Sequence, residues 1–126
     1  MANVRYIVDD VEAAVAFYAQ HLGFDVAMQA ERFAALDRDD LRLLINGTGG
    51  AGGASQPTSD GRRPEPGGWN RIQLPVDDVR AEAERLRDAG LPLRGDVITG
   101  RGGSQVLLED PAGNLVELFE AAKPRS

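Results

Sequence analysis

The sequence predicts an α+β fold made of two tandem strand–helix–strand–strand–strand (βαβββ) units, with the helices on the outer face of a curved mixed sheet that wraps a cavity. Three observations predict it. Val4-Arg5-Tyr6-Ile7-Val8-Asp9-Asp10-Val11-Glu12-Ala13 returns, in apolar pattern and in its Val-Asp-Asp-Val core, as Ile72-Gln73-Leu74-Pro75-Val76-Asp77-Asp78-Val79-Arg80-Ala81, the mark of an internal duplication. In both copies the apolar period switches from strand-like to helix-like at the Asp-Asp pair. Each copy closes in a strand, at 41–45 and at 115–119, the second introduced by the turn Asp110-Pro111-Ala112-Gly113-Asn114. A chain of 126 residues is one ordinary domain, so the expected organisation of the single domain 1–126 is a first unit at 1–46, a linker at 47–68 and a second unit at 69–122.

The first strand alternates, with Val4, Tyr6 and Val8 on one face and Asn3, Arg5 and Ile7 on the other. Asp10 is placed to cap the following helix, whose buried stripe is Val11, Ala14, Val15, Tyr18 and Leu22, and Gly23 is placed to end it. The second copy repeats the logic with Asp78 as cap, Val79, Ala83 and Leu86 as stripe, and Gly90 followed by Leu91-Pro92 as the stop. Each helix therefore covers one face of the sheet. The opposite face carries Asn3 and Arg5 in one copy and Arg71 and Gln73 in the other.

Composition excludes several function classes. There are no cysteines, so a disulfide framework, a thiolate metal site and a cysteine nucleophile are not available. The charges at Arg5, Asp9 and Asp10 interrupt any secretory apolar region, and no apolar run approaches membrane-spanning length; the expected location is the cytoplasm. A net charge of −6 disfavours nucleic acid and anionic membranes as partners and mildly attracts cationic ligands. Residues 47–68 are glycine, proline, serine and charge with almost no apolar side chain, a structureless stretch that reads as a ligand lid, a partner-crossing connection or a plain tether. Its Gly47-Thr48-Gly49-Gly50-Ala51-Gly52 spells G-x-G-x-x-G, but no helix follows to hold a pyrophosphate, so a dinucleotide site is rejected.

The duplicated unit, the Val-Asp-Asp-Val landmarks and the Asp-Pro-Ala-Gly-Asn turn before Leu115-Val116-Glu117-Leu118 resemble the vicinal oxygen chelate superfamily of glyoxalases, extradiol dioxygenases and bleomycin-resistance-type binding proteins. The enzymes of that family take a metal ligand from the first and the last strand of each copy. The resemblance matches those positions to Asn3, Leu43, Arg71 and Glu117, with Arg71 where a histidine would be expected. Arginine stays protonated and leucine has no lone pair to offer. The one histidine, His21, falls at the end of the first helix. The expectation is therefore no metal and no cofactor.

What remains is a cation, Arg71, facing a carboxylate, Glu117. Around them the expected ligand-binding residues are Asn3, Arg5, Phe33, Leu43, Ile45, Trp69, Gln73 and Phe119, with Trp69 either stacking a planar ring or buried as a core residue under the linker. No serine, lysine or histidine sits at a spacing that pairs a nucleophile with a base, and no catalytic residue is assigned. The resemblance to family members that have lost their metal ligands implies a homodimer that sequesters a small organic molecule, a planar aromatic or glycopeptide-type antibiotic, as bleomycin-resistance proteins do. The alternative is a glyoxalase-like lyase or isomerase, or a dioxygenase, with an atypical site.

Overall fold

The computed structural model describes residues 2–49 and 53–123. The chain divides into two compact units, residues 1–68 with 110–114 and residues 69–109 with 115–126. The expected mixed sheet is present as two four-stranded sheets, one in each unit.

In the first unit the elements are β1 (Ala2–Val8), α1 (Val11–His21), β2 (Asp25–Gln29), β3 (Phe33–Arg38) and β4 (Leu41–Gly47). The strand order is β1-β4-β3-β2, with β1 parallel to β4 and the other pairs antiparallel. The Asp10 side chain accepts from the Ala13 backbone N–H at 3.0 Å, satisfying one of the donors that a helix start leaves open. Val11, Ala14, Val15, Tyr18 and Leu22 are buried as expected, joined by Phe17, and the helix packs on β3 and β4, whose Leu36, Leu43 and Ile45 are fully buried. Truncating a leucine such as Leu36, which is fully buried, costs about 2–5 kcal/mol because the cavity left behind only partly relaxes.

The second unit repeats the plan with β5 (Arg71–Pro75), α2 (Val79–Asp88), β6 (Ile98–Thr99), β7 (Gly103–Glu109) and β8 (Leu115–Ala121), in the order β5-β8-β7-β6. Asp78 caps α2 through Ala81 at 3.0 Å, and Val79, Ala83 and Leu86 are buried where α2 packs on β7 and β8, whose Val106, Leu108, Val116 and Leu118 are buried too. Gly103 opens β7 with φ 151°, and a Cβ there would collide with the Glu120 carbonyl oxygen of the neighbouring strand. Only glycine fits that pairing.

Two local features depart from the sequence reading. The linker is not structureless: Gly53–Ser55 forms a short 3-10 turn, and the Ser55 hydroxyl donates to the Gly47 carbonyl at 2.7 Å. A second turn follows, where the Thr58 N–H donates to the Arg62 carbonyl at 2.9 Å; residues 50–52 lie outside the described residues. The turn 110–114, read as part of the second copy, packs with the first unit. Asp110 is buried and accepts from the Tyr18 hydroxyl at 2.9 Å and from the Asn114 backbone N–H at 2.8 Å. Asn114 in turn donates to the Ile7 carbonyl at 2.8 Å and accepts from the Gly67 N–H at 2.7 Å. Burial and then the Asp110 carboxylate push the Tyr18 phenol well above its ordinary value of 10.0.

Candidate functional site

Strand register decides which side chains can act together, because partners across a ladder point to the same face and neighbours along a strand to opposite faces. In the second unit Gln73 pairs with Glu117, Arg71 with Leu115 and Pro75 with Phe119. Arg71, Gln73, Glu117 and Phe119 therefore share the face opposite α2. Glu117 is buried, at 5% exposure, yet both carboxylate oxygens are engaged. Arg71 Nε donates to Oε1 at 3.0 Å and Gln73 Nε2 donates to Oε2 at 2.7 Å. A carboxylate can only accept, so the Gln73 amide must turn its nitrogen inward and leave its oxygen on the open face. The other N–H groups of Arg71 have no partner among the described residues.

Trp69 precedes β5 and is 70% exposed, which overturns the reading of a core tryptophan under the linker. The Arg94 guanidinium carbon lies 5.0 Å from its ring centroid, a cation–π contact, and Arg94 is itself ion-paired with Glu109. This Arg94–Glu109 support was not foreseen. Its only sequence signal was the isolated cation after the Leu91-Pro92 stop.

In the first unit the register corrects two assignments. Leu43 pairs with Val4 and Ile45 with Tyr6, and both are fully buried, so they face α1 and do not line the open face. The register of β4 is one residue from the expected one, and a one-residue shift moves every side chain to the other face. Gln73 corresponds to Arg5 in the repeat, and Arg5 pairs with Leu44, so Leu44 is the counterpart of Glu117. Asn3, Arg5 and Ile7 share the open face with Arg42, Leu44 and Asn46, and the β3 pairing adds Phe33, Ala35 and Asp37. Phe33 is thus on the same face as Arg5. Arg5 donates to Asn46 Oδ1 at 2.6 Å. Arg42 grips Asp37 through two bonds of 2.7 and 2.9 Å, and those bonds hold the Asp37 carboxyl below the usual carboxylate range.

The residues present do not fit a catalytic divalent metal. The positions that matter are Asn3, Leu44, Arg71 and Glu117, and the one carboxylate among them already accepts from Arg71 and Gln73. Among the described residues no group of three His, Cys, Asp or Glu side chains converges as a metal site would require. A cleft of about 790 Å³ in the first unit is lined by Asp9, Asp10, Glu12, Glu31 and Arg32 with their neighbours, at the loop end near the start of α1. None of the expected site residues lines it. No helix among the described residues is long and apolar enough to cross a membrane.

Comparison with known proteins agrees with this architecture. Residues 1–118 match the family model described as Glyoxalase/Bleomycin resistance protein/Dioxygenase superfamily. Curated protein sequences yield no significant match. Among solved structures, a lactoylglutathione lyase from Agrobacterium tumefaciens superposes with a TM-score of 0.75 at 22% identity, covering 95% of this chain and 92% of that one. A superfamily member from Sphaerobacter thermophilus gives 0.73 at 24% identity, with 95% of each chain covered. The bleomycin-binding protein of bleomycin-producing Streptomyces verticillus, complexed with copper(II)-bleomycin, gives 0.64 at 24% identity, covering 97% and 95%. At these identities the likeness is one of fold.

Proposed function

The chain belongs to the Glyoxalase/Bleomycin resistance protein/Dioxygenase superfamily, and from that premise we propose that it binds a small organic molecule without chemically changing it. The observation that carries this reading is the state of Glu117. In a metal-dependent member a carboxylate here would offer a lone pair to the metal; here Arg71 sits 3.0 Å away on one oxygen and Gln73 2.7 Å away on the other. A fixed cation in place of a metal satisfies the carboxylate but offers no open coordination position and no activated water. The same groups still present hydrogen-bonding edges to a ligand, through Arg71 N–H groups and the Gln73 oxygen. Trp69 and Phe119 supply aromatic surface in the same unit, which suits a flat ring.

The cargo in this reading is an antibiotic or other aromatic natural product held in the cytoplasm for self-protection, and the bleomycin-binding protein of the same fold supports it by analogy. The working form is a homodimer. Val26 and Met28 on the edge strand β2 and Ile98 on the edge strand β6 are 45%, 52% and 65% exposed, apolar edge surface of the kind a second subunit covers. Sedimentation at micromolar concentration should return a dimer.

The test combines elemental analysis with a thermal-shift screen across natural-product antibiotics and divalent metals. The expected result is no stoichiometric metal, no stabilisation by metals, and stabilisation by at least one aromatic compound. Stoichiometric iron, zinc, nickel or manganese, with a chelator-sensitive lyase, isomerase or dioxygenase activity, overturns the reading.

A further inference from the structure

The geometry points to an oxyanion-bearing cargo, its carboxylate or phosphoryl group seated on Arg5 and Asn46 in the first unit; this rests on the small-molecule-binding reading above and names the class of ligand. Arg5 stands on the face of β1 opposite α1, and its guanidinium donates to Asn46 Oδ1 at 2.6 Å. A guanidinium has donors only, so the Asn46 amide must direct its oxygen at Arg5, which leaves its NH2 as the free end. Asn46 is 4% exposed, so that NH2 is held by a side chain with almost no freedom to turn away. Neither the Asn46 NH2 nor the other Arg5 N–H groups have a partner among the described residues.

Charge decides what such a pair accepts. On the same face Arg42 is neutralised by Asp37, whereas Arg5 has an uncharged amide as its partner among the described residues. An amide neighbour fixes a guanidinium without cancelling its charge, which is the arrangement that favours an anionic acceptor over a neutral one. Leu44 and Phe33, both half-buried on that face by register, flank the donors with apolar surface, so an organic anion gains contacts that a bare inorganic ion does not. The local chemistry thus opposes the net charge of −6, which taken alone favours cations. A bound oxyanion is screened only by its own surroundings, and the contact pair outweighs a diffuse surface charge over a Debye length of about 8 Å at physiological salt.

The test is a titration of the full-length protein, followed by side-chain amide and guanidinium NMR, with 2-naphthoate, 2-naphthylmethylamine and inorganic phosphate. The proposal expects 2-naphthoate to shift the Asn46 NH2 and Arg5 Nε–H signals, with the amine leaving both unmoved. Phosphate acting as well as naphthoate assigns the site to free phosphate or a phosphoryl group; naphthoate acting alone assigns it to organic carboxylates. Arg5→Gln should weaken naphthoate at least tenfold. Asn46→Asp gives Arg5 an internal counter-ion and should abolish naphthoate binding while keeping or raising the melting temperature, so loss of binding there is not loss of fold. Naphthoate affinity unchanged in both variants, or the amine shifting the same signals, overturns the proposal. If aromatic natural products stabilise the protein and perturb Arg71 or Trp69 but not Arg5, this inference fails and the binding function stands; if nothing binds at all, the binding function fails with it.

Discussion

Arg71 and Glu117 should behave as one energetic unit, and a double-mutant cycle can measure it. The pair is asymmetric: the Glu117 side chain is 7% exposed and that of Arg71 is 29% exposed. Removing one partner of a fully buried ion pair costs about 3–5 kcal/mol, chiefly because the other charge is left stranded. Arg71→Met strands Glu117, but the Gln73 bond at 2.7 Å remains and partial exposure screens the charge, so the expected loss is about 1–2 kcal/mol. Glu117→Gln leaves Arg71 able to turn toward water, and the expected loss is about 1 kcal/mol. The double variant strands neither, so its loss should fall short of the sum by about 0.5–1 kcal/mol. Urea denaturation followed by circular dichroism, with the slope unchanged between variants, reads these differences directly. Additivity to within about 0.3 kcal/mol would mean that the two groups do not interact, and Arg71 would lose the role of a cation standing where a metal is expected.

Three further outcomes follow from the geometry. Trp69 is the chain's one tryptophan, so fluorescence reports it alone: emission should be that of an exposed indole, an aromatic cargo should quench it, and Trp69→Ala should weaken that cargo by about 1–3 kcal/mol; unchanged affinity in a folded variant removes the stacking role. Tyr18 has its folded pKa raised above the ordinary 10.0, so its contribution is fully present below pH 10 and falls as pH rises past it, by about 1.4 kcal/mol per pH unit because unfolding then releases one proton. Tyr18→Phe should flatten that alkaline loss, measured by denaturation at several pH values, and an identical slope in the variant counts against the assignment. Leu43→Glu buries a carboxylate where nothing can pair with it and should unfold the protein, whereas Leu44→Glu, on the open face, should cost under about 1 kcal/mol; the reverse order in thermal melts would refute the register.

Much of the fold was legible in the linear chain because it rests on local periodicities. The duplication, both helix stripes, the Asp10 and Asp78 caps and the stops at Gly23 and Gly90 each follow from spacing within one element, and the structure bears them out. The opposition of Arg71 and Glu117 was also readable, since the Asp-Asp-Val landmarks set the frame of β5 and the Asp-Pro-Ala-Gly-Asn turn sets that of β8. The first unit has no such turn to anchor β4, so its parity could not be read from one strand alone. Pairing with β1 and β3 determined it, turning Leu43 and Ile45 to the helix and Leu44 and Asn46 to the open face. The same holds for contacts that join distant segments: Tyr18 with Asp110, Arg94 over Trp69, and Arg5 with Asn46 lie 92, 25 and 41 positions apart. Residue types and spacing state what each group can donate or accept, but only tertiary packing decides which groups meet, because hydrogen-bond geometry is satisfied within about 3 Å and sequence carries no information on that distance.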